Sequence, residues 1–184
     1  DYSGGATCPS LLLEPSRTNL WIYSEPAAGA TGLGNITEFS AIDSFSSIGI
    51  NGGVIFGAGD TRYQYGGTVT ASTTYSFSFY MKTADDAAPI LATSNTDANG
   101  DFIFVVGGDA RDANEIPASD YSITLYKGNI YKVEYTFTTL SSVSQYNTGI
   151  IKYAANRNAD LEVTGFQLEE GSYPTSYIPN HSGG

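Results

Sequence analysis

The chain is 184 residues long and carries a formal charge of −11, from 19 acidic against 8 basic residues. That balance argues against nucleic acid and anionic membranes as partners, because both are gripped through a basic footprint. With one cysteine, Cys8, and one histidine, His181, the chain has no intrachain disulfide, no thiolate metal cluster and no Ser-His-Asp, Cys-His or His-ligated zinc chemistry.

The length fits one large domain whose core needs no covalent staple. Tyr (14) and Gly (21) are abundant, while Met and Trp occur once each, a composition that favours pleated sheets and turns over helices. The opening Asp1-Tyr-Ser-Gly-Gly5 reads as the interior of a longer protein, without the basic and apolar stretches of a secretion signal. No apolar run approaches the ~18–20 residues of a membrane span.

Short strands are expected at 11–13 and 18–23, then a surface loop at 26–35, then further strands at 36–41, 45–50, 53–57 and 61–69. Strict alternation marks the next one: Tyr75, Phe77, Phe79 and Met81 point one way, and Ser76, Ser78, Tyr80 and Lys82 the other. Ala84 to Ala88 makes one helical turn at most. After a weak strand at 89–94, Asp101-Phe-Ile-Phe-Val-Val106 is a continuous apolar run, the mark of a strand covered on both faces. Alternation returns at Tyr121–Tyr126, with Tyr121, Ile123 and Leu125 inward. It returns again at Ile130–Thr139, with Tyr131, Val133, Tyr135 and Phe137 inward against Lys132, Glu134, Thr136 and Thr138. Weaker strands follow at 147–153, 160–169 and 175–178. Turn signals separate them, among them Asn51-Gly52-Gly53, Gly57-Ala-Gly59-Asp60, Asn99-Gly100 and Lys127-Gly128-Asn129. Many short strands at such spacing indicate an all-β sandwich or barrel. One domain is expected over 1–179, with a disordered Gly/Ser tail at 180–184.

Two segments carry a family likeness. Cys8-Pro-Ser-Leu-Leu-Leu-Glu-Pro-Ser-Arg-Thr-Asn-Leu20, continued by Ile22-Tyr23-Ser24-Glu25, resembles a segment recurrent in bacteriophage tail-fibre and other virion-surface proteins. Gly165-Phe-Gln-Leu-Glu-Glu-Gly-Ser-Tyr-Pro-Thr-Ser-Tyr-Ile-Pro179 resembles the closing segment of the same modules. The resemblance implies a carbohydrate-binding-module-like jelly roll, a β-sandwich of two antiparallel sheets, at a virion surface or in an extracellular setting. It also implies that both segments are largely architectural. Glu14 and Arg17 are expected to clamp a turn, with Arg17 pairing Glu169 or Glu170 if the first and last strands are neighbours. Tyr173-Pro174 and Tyr177-Ile178-Pro179 are expected to pack against a sheet edge.

Sugar recognition needs aromatic platforms and a few fixed polar groups. Tyr80, on the polar side of its strand beside Ser78 and Lys82, is the first candidate for stacking on a pyranose ring. Arg62, Tyr63, Gln64 and Tyr65 offer a second mixed strand, and Tyr146 and Tyr153, with Asn147 and Asn156, a third. Trp21, beside Leu20 and Ile22, reads as core or interface. Asp97-Ala-Asn99-Gly100-Asp101 spaces oxygen ligands as the opening of a calcium loop does, although position 108 is Gly where a full loop has its bidentate Glu; the alternative is an ordinary hairpin turn. Asp109, Asp112 and Glu115, with Arg111 among them, form a weaker acidic loop. Glu169 and Glu170 are adjacent, so on a strand they face opposite ways and cannot act as a glycosidase pair. Asn35-Ile-Thr37 and Asn180-His-Ser182 match glycosylation acceptors, discounted in a phage or bacterial setting.

The combined reading is a non-catalytic module that binds a polysaccharide or cell-surface glycan, with calcium as a structural ion. A decoration or oligomerisation domain without ligand is the alternative, its Tyr-rich faces serving as contacts in a homo-oligomer such as a trimer. A polysaccharide-degrading enzyme is the third reading.

Overall fold

Nine strands run through the residues that the computed structural model describes: 14–26, 42–57, 61–143, 145–157 and 159–180. They are β1 (Val54–Phe56), β2 (Thr61–Thr68), β3 (Thr74–Thr83), β4 (Ile103–Val106), β5 (Asp109–Arg111), β6 (Tyr121–Lys127), β7 (Ile130–Thr138), β8 (Gln145–Lys152) and β9 (Leu161–Glu170). One sheet has the order β1-β9-β3-β7-β6 and the other β2-β8-β4-β5, with every pairing antiparallel. If β6 is set aside as an added edge strand, the remaining eight interleave as β1-β9-β3-β7 and β2-β8-β4-β5. That is jelly-roll order, and the all-β sandwich expected from alternation is the fold.

The core is aromatic. Phe77 and Phe79 on β3 meet Phe104 on β4 edge-on, Phe104 stacks 4.8 Å from Tyr135 on β7, and Phe137 stacks on Tyr146 of β8. Trp21, as expected for core, is buried 5.0 Å from Phe166 and 5.2 Å from Phe77. The alternation read from β3 and β7 holds, with Phe77, Phe79, Met81 and Val133 buried in one cluster.

Along β9 the alternation changes parity. Leu161 and Val163 face the core, and then Phe166 and Leu168 do. The cause is a β-bulge. Between Ser78 and Tyr80 of β3 the partner positions jump from Gln167 to Thr164, leaving one extra residue on β9. Gly165 takes that position at φ 64°, and a Cβ there would come within 2.7 Å of the Tyr80 ring.

The outer face of this sheet is covered too, and Ser76, Ser78 and Tyr80 are as buried as their inward neighbours. Residues 42–50 lay Ile42, Phe45 and Ile50 against Tyr80. The strand expected at 45–50 is instead a 3-10 turn, Ser46–Ile48, ended by Gly49 at φ 81°. The stretch 89–94 contributes only a single bridge from Leu91 to Phe102, and 175–178 forms no strand. The acidic segment 109–111 is β5. Leu125, expected inward, is 57% exposed because β6 is the sheet edge and pairs with β7 alone.

The two end segments do meet. Leu20 N–H donates to Leu168 O, Phe166 N–H to Ser24 O, and Ser24 N–H to Asn180 O. The expected partner of Arg17 is not found: its guanidinium donates to Tyr173 O and lies 4.5 Å over the Tyr173 ring, against Gly171. Asn180, assigned to a disordered tail, is fixed by bonds to Ser24 and Asn19. Cys8, His181, the strands expected at 11–13 and 36–41, the loop beyond Pro26, the rest of the Gly57–Asp60 turn, and the Asn35-Ile-Thr37 acceptor lie outside the described residues.

Asn19 is the hub of this junction. The amide of this buried side chain donates to Phe166 O and Ile178 O, and its carbonyl accepts from Trp21 N and Leu168 N. Asn19→Ala leaves several buried backbone groups unpaired and should cost about 2–3 kcal/mol. The check is a lowered urea midpoint at unchanged slope; an unmoved midpoint would mean the junction is not part of the cooperative fold.

Candidate functional site

Cross-strand register builds rows of polar side chains on the outer face of the five-stranded sheet. Tyr80 lies opposite Lys132, and Lys132 opposite Thr124; Ser78 lies opposite Glu134, and Glu134 opposite Ser122; Ser76 lies opposite Thr136. The β3 ends of these rows are roofed, and the β7 members Lys132, Glu134 and Thr136 stay half-buried.

The roof is the closing segment, 171–178, pinned by β9. Buried Glu169 accepts from Thr175 N at 2.9 Å, Thr175 Oγ1 at 2.5 Å and Gln167 Nε2 at 2.6 Å, and Gln167 Oε1 accepts from Ile178 N. Glu14 accepts from both the backbone N–H and the hydroxyl of Ser176. Glu169 and Glu170 face opposite ways as read from the sequence, Glu169 buried and Glu170 exposed.

Beside this roof two clefts open. One, of about 350 Å³, is lined by Tyr80, Tyr126, Lys132, Glu14, Ile48 and Tyr177 among others; the second, of about 160 Å³, by Asp120, Ser122, Glu134, Thr136 and Tyr173. Pro174 lines both, and Lys132 of the first and Glu134 of the second are outward neighbours two residues apart on β7, so the two clefts follow one another along that strand as a groove in two parts. At its centre Lys132 Nζ lies 2.7 Å from Glu134 Oε1, and Ser122 Oγ donates to Glu134 Oε2 at 3.0 Å. Tyr126 stands at one end, 55% exposed, and Tyr173 at the other, 52% exposed. Tyr80 and Tyr177 lie beneath. Burial holds both phenols well above the usual tyrosine range, and the neighbouring Tyr126 and Glu25 respectively add to that, so both stay neutral at physiological pH.

The residues nominated from sequence scatter over the molecule. Tyr80 reaches the groove but is only 5% exposed, its ring meeting Tyr126 at 5.1 Å and Tyr177 at 6.2 Å edge-on; the open platform expected of it is filled by residues 42–50 and Tyr177. Tyr63 is in the core and donates its hydroxyl to Tyr23 O. Its neighbours Arg62 and Gln64 therefore face outward on the other sheet, 3.4 Å apart. Tyr65 is on β2 opposite Thr148. Tyr146 is buried against Phe137, and Tyr153 is half-buried against Ile103, Val105 and Ile151.

In the Asp97–Asp101 loop both carboxylates are taken up by hydrogen bonds and an ion pair within the chain. Asp97 accepts from Thr93 N, Thr93 Oγ1 and Asn99 N, while buried Asp101 accepts from Ile90 N and pairs with Arg157 at 2.7 Å. In the second acidic loop Arg111 lies 3.8 Å from both Asp109 and Glu115. Among the described residues no group of three or more His, Cys, Asp or Glu side chains is arranged to hold a metal ion. Nor is any helix there long and apolar enough to cross a membrane.

Lys132, Glu134 and Thr136 had a signal in the sequence, the polar half of the β7 alternation. Ser122 and Tyr126 occupy the outward positions of β6 by the same rule. From the sequence, Tyr173 reads only as edge packing.

No protein-family model matches the chain, and no curated protein matches its sequence. Among solved structures it is similar to a "Family 16 Carbohydrate Binding Module-2", at 15% identity and a TM-score of 0.36, over 65% of this chain and 77% of that one.

The Asp97 bonds have a pH signature. Backbone N–H groups of Thr93 and Asn99 hold its carboxyl at about 2, against an ordinary 3.8. The folded form therefore binds this proton less readily than the unfolded chain. The loop's contribution to stability is full above about pH 4 and is lost as pH falls toward 2. Asp97→Asn should flatten that part of the pH–stability profile measured by thermal unfolding; an unaltered acid limb would mean the loop bonds do not form in solution.

Proposed function

We propose that this domain is a non-catalytic glycan-recognition module and that the groove along β7 is its binding surface. The observation that carries this reading is the half-buried Lys132–Glu134 pair on β7, bonded to Ser122 of β6 and set between two half-exposed tyrosines, Tyr126 on β6 and Tyr173 on the closing segment. A sugar hydroxyl both donates and accepts, so an ammonium beside a carboxylate offers each function its partner, in charge-assisted bonds. The tyrosine faces supply apolar area at little entropic cost, which weakly hydrated sugar faces can cover. Glu134, held between an ammonium and a hydroxyl, serves as a hydrogen-bond acceptor in this scheme.

The likeness of the end segments to phage tail-fibre modules supports an adhesive role on a virion surface or in a secreted protein. The exposure of Leu125 and Tyr126 on edge strand β6 favours, as a second reading, an oligomer contact along that edge.

The test is retention on a glycan array and on insoluble polysaccharides, run with calcium and with chelator. Tyr126→Ala and Lys132→Ala should each reduce retention roughly tenfold, about the worth of one good contact, with the melting temperature little changed. Tyr80→Ala should lower the melting temperature, since its ring is buried. No retention by folded protein across a broad panel, together with elution as a defined oligomer, would favour the structural module instead.

A further inference from the structure

We infer that the groove takes an uncharged oligosaccharide of at least three sugar units, laid parallel to β7 from Tyr126 to Tyr173. This rests on the glycan-recognition reading and adds the class and length of the ligand.

Length follows from register. Leu125, next to Tyr126, is paired with Tyr131 at one end of β7, and Thr136 Oγ1 meets Ser172 O, next to Tyr173, at the other. Five residues of strand separate those points, about 16 Å at ~3.3 Å per residue. A mono- or disaccharide sitting on the central Lys132–Glu134 pair cannot also cover both tyrosines. A longer chain can. The geometry of the ends agrees with stacking. Tyr126 meets the edge contact of Tyr80 on one side, and Tyr173 has Arg17 over one face, so each ring is braced while half its surface remains open. Bracing lowers the entropy lost when a ligand settles.

Charge follows from the lining. Glu14, Asp120 and Glu134 are set around the groove, and Lys132 is the cation among its described lining residues. That ammonium is already held by Glu134 at 2.7 Å. Arg17 is turned to Tyr173, donating to its carbonyl and covering its ring. A uronate or other acidic sugar would bring its charge to three carboxylates and find no uncommitted cation there, on a chain whose net charge is −11. Like-charge juxtaposition of this kind rejects a ligand more effectively than it weakens a good one. Neutral hydroxyls meet no such penalty.

The experiment is calorimetric titration of the folded domain with neutral gluco-, manno- and xylo-oligosaccharides from disaccharide to hexasaccharide, against oligogalacturonates of equal length. For the neutral series that binds, affinity should rise roughly tenfold from di- to tetrasaccharide, the gain of one added aromatic contact, and then level off. Tyr173→Ala, at an exposed position, should erase that gain, so that the variant binds tetrasaccharide no more tightly than disaccharide. Oligogalacturonates should bind at least about tenfold more weakly at low salt, where repulsion is least screened. A disaccharide that binds as tightly as a tetrasaccharide, or uronates that match the neutral series, would overturn this inference and leave glycan recognition standing. Binding that survives both Tyr126→Ala and Lys132→Ala would move the site off this groove. Failure of both series on a protein with an unaltered melting temperature would overturn the glycan reading itself.

Discussion

The bulge at Gly165 decides which side of β9 each later residue faces, and the closing segment depends on that choice. Without the extra residue, alternation from Leu161 and Val163 would send Gln167 and Glu169 into the core and Phe166 and Leu168 outward. With it, the aromatic Phe166 and the aliphatic Leu168 join Trp21 and Phe77 inside, and the polar Gln167 and Glu169 are delivered to the outer face. Gln167 and Glu169 then hold Thr175 and Ile178, and the strap they hold becomes the wall of the groove. Glycine is needed because φ is positive there and because the Tyr80 ring lies where a Cβ would be.

Covering the outer face in this way buries polar groups as well as apolar ones, and each needs a partner. Glu169 has three donors around it, Asn19 has four bonds, and Asp101 has a guanidinium and a backbone N–H. Such sites add little net stability when intact, yet removing one member strands the others. Their value here is specificity of arrangement. They fix one path for residues 14–24 and 171–180, and so fix where the groove lies relative to Lys132 and Glu134.

The groove joins what the strap leaves open with what β6 and β7 present. Its centre is on two hydrogen-bonded strands and its ends are braced rings, so the fold itself holds these polar and aromatic groups in place. That preorganisation separates this surface from the other candidate positions. Arg62 and Gln64 lie on the opposite sheet, Tyr63 and Tyr146 are in the interior, and the Asp97 carboxylate is engaged by its own loop.

What was legible in the sequence was whatever depends on local period. Alternation at 75–82 and 130–139 located β3 and β7 and sorted their faces, because the side-chain period of a strand is two wherever it sits. The all-β class followed, and so did the opposite facing of Glu169 and Glu170. The polar half of β7, where Lys132 and Glu134 sit, was equally readable. The sequence could not reveal that the polar half of β3 would be roofed, which turned Tyr80 from an open platform into a buried ring. Nor could it reveal that Arg17 would choose Tyr173 over a carboxylate, or that Tyr126 and Tyr173 would bracket one ion pair. Those outcomes depend on contacts between residues as far as 162 positions apart, such as Glu14 with Ser176. Strand order and the path of the two end segments decide such contacts, and a periodicity that only senses neighbours carries no record of them.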